Sequence, residues 1–212
     1  STGNISIFVH DSDDSLSIFD DDIRCLAPGP DGKIWIGMDK GLDLYDSKNK
    51  SFEHFTNRKI GEVVIPGRML CIFTDSKNIT WIGTEGGLLE LDLEKNSLLQ
   101  HVSVPGQKHM ISNNFIYCVV EDKNRDLWIG TARGLNFLDR ETKQFKYFTD
   151  KHGLPGNTVY SILPAENGEF WISTISGLAR FNPGKNKFRN YYSHDGLQSD
   201  EFLPGAGAML DN

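Results

Sequence analysis

Four tryptophans punctuate this 212-residue chain, Trp35, Trp81, Trp128 and Trp171, at intervals of 46, 47 and 43 residues. Their surroundings recur: Ile34-Trp35-Ile36-Gly37, Thr80-Trp81-Ile82-Gly83, Leu127-Trp128-Ile129-Gly130 and Phe170-Trp171-Ile172-Ser173. Six residues after each tryptophan stands a Gly-Leu pair, beginning at Gly41, Gly87, Gly134 and Gly177. Asp46, Asp92, Asp139 and Asn182 follow four residues after the leucines, and Phe52, Leu98, Phe145 and Phe188 six residues further on. Ten residues before each tryptophan lies a small residue, Cys25, Cys71, Cys118 or Ser161, and from there to the final apolar residue is 27 positions in every copy. A fixed internal period of this length is the mark of a repeat architecture.

Each unit reads as four short strands divided by turn chemistry. The first resembles Val159-Tyr160-Ser161-Ile162-Leu163 and runs into a polar turn such as Pro30-Asp31-Gly32-Lys33. The second carries the tryptophan. A turn ending in glycine, which supplies the left-handed backbone such turns need, leads to the third strand. Asp or Asn closes that strand by bonding nearby backbone amides, and the fourth strand holds the phenylalanine. Inner strands such as Ile116-Tyr117-Cys118-Val119-Val120 are apolar on both faces, which fits sheets sandwiched between neighbours. Four antiparallel strands per ~45 residues, stacked face to face, is the plan of a β-propeller. The fold expected is therefore all-β: a partial propeller arc treated as one domain over 1–212, with units at about 20–56, 67–102, 114–149 and 158–192. Parts of two flanking blades are expected at 1–10 and 200–212. Even a six-bladed ring needs about 270 residues, so the chain reads as part of a longer propeller.

The units resemble the two-component regulator propeller repeat, whose pattern runs through an aspartate, Leu-Trp-Ile-Gly-Thr and Gly-Leu. Asp122 through Thr131, with Gly134-Leu135, is the closest copy; Ser173 departs from it where the family has glycine. His194-Asp195-Gly196-Leu197 through Phe202 looks like the family's lead-in to its last blade. The resemblance implies a non-catalytic input domain, in the periplasm, of a membrane-bound sensor histidine kinase, often a hybrid with an attached response regulator. It implies further blades and a kinase region in the longer chain, a homodimeric sensor, and an oligosaccharide or other small ligand. A propeller lyase or glycosidase, and a scaffold for protein partners, are the alternatives.

Composition narrows the partners. A net charge of -7 with no basic stretch leaves nothing to replace phosphate counterions, so nucleic acid is not expected. No apolar run of about 18 residues is present. No nucleophile elbow, phosphate loop or zinc-protease motif occurs, and neither a cofactor nor a metal is expected. Cys25, Cys71 and Cys118 hold one equivalent position and read as small buried packing residues. The tryptophans read as wedges between sheets.

Length varies in one place. From the fourth-strand apolar residue to the next first-strand small residue the spacing is 19, 20 and 16, whereas spacing inside a unit is constant. Those connections share a rim with the turns between second and third strands, and length freedom over a rigid scaffold is how binding loops behave. Arg68, Asn114, Arg133 and Asn157 supply polar donors there, and Tyr117 and Tyr160 supply rings. That combination suits a sugar, whose hydroxyls take paired hydrogen bonds and whose faces stack on aromatics.

Overall fold

The computed structural model describes residues 5–165, 167–205 and 207. The first sheet is built from β1 (Ile23–Pro28), β2 (Ile34–Met38), β3 (Leu42–Asp46) and β4 (Ser51–His54). A small hairpin, β5 (Lys59–Ile60) and β6 (Val63–Val64), fills the connection to the next sheet. The second sheet has β7 (Met69–Thr74), β8 (Thr80–Thr84), β9 (Leu88–Asp92) and β10 (Ser97–His101). The third has β11 (Ile116–Glu121), β12 (Leu127–Thr131), β13 (Gly134–Asp139) and β14 (Gln144–Phe148). The fourth has β15 (Val159–Pro164), β16 (Phe170–Thr174), β17 (Gly177–Asn182) and β18 (Lys187–Tyr191). In every sheet the strands pair antiparallel in chain order. Successive sheets meet through their first strands, β1 on β7, β7 on β11 and β11 on β15, giving an open arc of four propeller blades.

The turns explain the repeat. Thr84, Thr131 and Thr174 each donate their hydroxyl to the carbonyl of Gly87, Gly134 or Gly177 and accept the N–H of the turn residue between them. Gly87 sits at φ 130°, and a Cβ there would lie 2.6 Å from the His101 carbonyl oxygen, so both backbone conformation and space demand glycine. Asp46, Asp92, Asp139 and Asn182 close β3, β9, β13 and β17 by accepting amide N–H groups two or three residues ahead.

The core lies between sheets. One cluster joins Trp35 and Leu44 of the first sheet to Met69, Ile82 and Leu91 of the second. A second joins Trp81 and Leu88 to Ile116, Ile129 and Phe145, and a third joins Trp128 and Leu135 to Val159, Ile172 and Phe181. Trp35 and Trp81 are fully buried and Trp128 nearly so. Trp171 differs: it is half-buried, against Tyr191 and the Arg180 guanidinium, because no described sheet packs beyond the fourth. The cysteines are half-buried rather than buried, since they belong to the first strands, which edge the arc's axis.

At the ends, residues 5–10 carry no regular strand; Phe8 instead packs on Tyr45 and Phe52. Residues 200–205 and 207 also carry none, and the rest of the expected flanking strands, 1–4, 206 and 208–212, lie outside the described residues. Among the described residues no helix is long and apolar enough to cross a membrane.

Candidate functional site

Every first strand carries a β-bulge at one position. The pairing of β1 with β2 slips between Ile23 and Cys25, and the same slip recurs at Met69/Cys71, Ile116/Cys118 and Val159/Ser161. The unpaired residues are Arg24, Leu70, Tyr117 and Tyr160. A bulge bends the strand and re-aims its side chain, and such devices cluster at functional rims. Here they feed a line of contacts along the inner rim. Arg24 makes a two-toothed pair with Asp39, at 2.6 and 2.7 Å. Arg68 bridges onward, its Nε 3.1 Å from Asp39 Oδ1 and its Nη1 on Glu85. The hydrogen bond from Arg24, with its charge and that of Arg68, holds Asp39 below the usual carboxylate range. Tyr117 and Tyr160 meet edge to face with centroids 5.2 Å apart. Partial burial, then the neighbouring Tyr160 and the Glu85 carboxylate, push the Tyr117 hydroxyl pKa up.

A second group lies further out, where two connections face each other. A cleft of about 530 Å³ opens between the β10–β11 and β14–β15 loops and the turn between β12 and β13. Ser103, Gln107 and Ser112 come from the first loop, Lys151 and Asn157 from the second, and Arg133 from the turn. The loops are pinned from below. Asn114 Oδ1 accepts the Ser103 N–H at 2.7 Å, and Asn157 Oδ1 accepts the Asp150 N–H at 2.9 Å. Asn136, fully buried on β13, accepts the Ser112 N–H and donates to the Ser112 hydroxyl at 2.8 Å.

The six residues singled out in the sequence therefore divide. Arg133 and Asn157 line the cleft; Asn114 holds one of its walls through Ser103; Arg68, Tyr117 and Tyr160 belong to the inner-rim line. The two tyrosines are half-buried rather than exposed, each covering the other. The ring that reaches the cleft is Tyr147 on β14, half-exposed at 51%. Loop spacing does not mark it, because it sits inside a strand rather than in a connection. Asn136 and its counterpart Asp43, which accepts the Phe19 N–H at 2.9 Å, were also missed. A polar residue repeated in an otherwise apolar third strand was the signal. Chemically the cleft offers a guanidinium, an ammonium, a carboxylate, an imidazole, amides and hydroxyls beside one phenol ring, which is the equipment for a polyhydroxylated ligand. Among the described residues no three His, Cys, Asp or Glu side chains gather as a metal site.

The two-component regulator propeller repeat matches residues 17–40, 110–133 and 153–176. Each match spans a first strand, the tryptophan strand and the start of the following turn. The chain carries two-component regulator propeller repeats over those three segments. Solved structures share the fold. The extracellular domain of one hybrid two component system of B. thetaiotaomicron is 19% identical with a TM-score of 0.72, over 80% of this chain and 24% of that one. A second from the same organism is 22% identical with a TM-score of 0.65, over 86% and 22%. Virginiamycin B lyase from Staphylococcus aureus is 13% identical with a TM-score of 0.63, over 84% and 57%. The chain thus spans under a quarter of the length of those two extracellular domains. No curated protein matches its sequence.

Proposed function

We propose that this propeller arc belongs to the extracytoplasmic, periplasmic sensing part of a two-component sensor and takes an oligosaccharide at the cleft bordered by Arg133, Tyr147 and Asn157. The observation that carries the reading is the pairing of regulator propeller repeats with a cleft built from their length-variable connections. The likeness in fold to extracellular domains of hybrid two component systems supports the cellular setting. A cleft of about 530 Å³ accommodates a few sugar rings. The ligand is bound and not transformed; its grip on two loops from adjacent blades changes how those blades pack, and a dimeric sensor with further blades and a kinase region carries the change across the membrane. The likeness to virginiamycin B lyase is one of fold and brings no reaction to this chain.

The test is a glycan panel screened by the chain's melting temperature, followed by Arg133→Ala and Asn157→Ala. At least one glycan is expected to raise the melting temperature. Each substitution is expected to weaken that binding about tenfold, the cost of one charge-assisted or well-placed polar contact. A panel without effect, or substitutions without effect on a binder, would contradict the reading.

A further inference from the structure

The junctions between sheets reuse one polar position with different occupants. At the second junction Asp75, in the β7–β8 turn, accepts the Lys77 and Ile79 N–H groups on Oδ1 and the Trp81 indole N–H on Oδ2 at 2.8 Å. From the facing sheet Arg140, in the β13–β14 turn, brings Nη1 to 2.6 Å from that Oδ2. Its guanidinium lies 5.7 Å from the centre of the Trp81 ring, and Glu121 Oε1 stands 3.4 Å away as a second partner. Both side chains of the Asp75–Arg140 pair are almost wholly buried, at 0% and 7% exposure. At the first junction both members are missing. Gly29 takes the aspartate position, leaving the Trp35 indole N–H without a partner, and Leu93 takes the arginine position, packed on the apolar cluster.

The third junction keeps half of the device. Asp122 repeats Asp75 bond for bond: Oδ1 accepts the Asn124 and Asp126 N–H groups, and Oδ2 accepts the Trp128 indole N–H at 3.0 Å. The residue in the place of Arg140 is Pro183, which has no side-chain donor. Where an arginine would enter, a cleft of about 710 Å³ separates the third and fourth sheets. Asp122, Trp128, Phe137, Phe148, Glu169 and Phe170 form its walls. Lys123, Lys146 and Glu121 also border it, so its charge is mixed and recognition rests on the Asp122–Trp128 pair rather than on a net field.

We propose that this cleft receives a guanidinium-bearing ligand, whose cation takes at Asp122 and Trp128 the place that Arg140 takes at Asp75 and Trp81. A planar guanidinium meets both requirements of the site: it donates to a carboxylate with well-fixed geometry, and it lies against the partly buried Phe137 and Phe148 rings that pack on the nearly buried Trp128, which a compact ammonium does less well. The cleft's volume is that of a small-molecule site, and its apolar walls fit a ligand with a hydrocarbon stem. The two clefts share Tyr147 and His152 at their border, but this reading rests on Asp122 and Trp128, which do not line the loop cleft, so its test is distinct from that of the proposed function.

Calorimetric titration of the full chain with Nα-acetyl-arginine amide tests it, with Nα-acetyl-lysine amide and the tripeptide Gly-Arg-Gly alongside. Saturable binding of one arginine derivative per chain is expected, about tenfold tighter than the lysine derivative. Tighter binding of the tripeptide assigns the ligand to a peptide and tighter binding of the amide to a free small molecule; either supports the proposal. Asp122→Asn is expected to abolish binding. Because Asp122 also holds its own turn, Pro183→Arg provides the independent check: it recreates the Arg140 arrangement from within, and should remove binding while raising the melting temperature. No saturable heat with either arginine compound, equal binding of the lysine compound, or undiminished binding to a folded Pro183→Arg chain would overturn it.

Discussion

A methyl group added at Gly130 would come within 2.5 Å of the Cys118 sulfur and 2.8 Å of the Val159 carbonyl oxygen on the next sheet. Gly37 and Gly83 are squeezed in the same way, between the cysteine of their own first strand and the start of the next sheet's first strand. The pairing register puts Cys25 opposite Gly37, Cys71 opposite Gly83 and Cys118 opposite Gly130. The fourth unit substitutes both at once, Ser161 opposite Ser173, and there it is Gly207, outside any described strand, that lies close against the Ser161 side chain. The small residue and the glycine are thus one packing device. Gly130→Ala is expected to cost about 1–3 kcal/mol, the usual penalty for overpacking, read as a lower urea midpoint; an unchanged midpoint would contradict this packing account. The thiols carry a pH prediction. Burial pushes Cys25 up to about 11 and Cys118 up to about 12 from an ordinary 9.0, and Cys71 well above it. The unfolded chain releases these protons near 9.0 while the folded chain keeps them, so the folded state is favoured fully below pH 9.0 and loses that advantage as pH rises toward 11 and beyond. Urea midpoints should fall over that window. Replacing all three cysteines by serine, the fourth unit's own choice, should flatten the fall.

The same residue types act differently once they belong to a turn or a strand pair. Asp75 and Asp122 each tie a turn to the tryptophan strand of their own sheet, but only Asp75 also receives a cation from the neighbouring sheet. Arg140→Ala would leave Asp75 buried and unpaired, and breaking one side of a buried ion pair costs about 3–5 kcal/mol. Thermal unfolding of that variant should be shifted strongly down, and Arg140→Ala with Asp75→Asn should recover part of the loss. The four sheets were legible in the sequence because each interval within a unit is set by local chemistry: a glycine at positive φ, an aspartate cap, a tryptophan on a buried strand. The partnership of Asp75 with Arg140 was not legible, since contacts across a junction join residues far apart in the chain and leave no spacing to read. The β5–β6 hairpin was hidden for another reason: its strands are two residues each, too short for a periodic signal. Of the candidate site, the choice of rim rests on loop lengths; a cleft of about 530 Å³ lies among those loops, and another of about 710 Å³ lies at the β11–β12, β15–β16 and β17–β18 turns. Which side chains turn into the loop cleft depends on the bulges at Tyr117 and Tyr160 and on the pleat of β14, and neither shows in the spacing.

At the scale of the whole molecule, the arc places its variable connections side by side. The loop cleft takes one wall from residues before the third sheet and the other from residues after it, so a ligand held there would bridge the connections on both sides of that sheet. The core is divided into clusters that each straddle a junction, so small rotations between sheets repack a whole cluster. This is how a binding event on a propeller rim can become a change in blade packing, with the sheets themselves left intact. Hydrogen exchange of the chain, with and without the glycan that raises its melting temperature most, tests the claim most directly. Slowed exchange is expected in the β10–β11 loop, the β12–β13 turn and the β14–β15 loop together, with the β1–β2 and β3–β4 turns unchanged. Protection confined to other segments, or none at a saturating concentration, would contradict it.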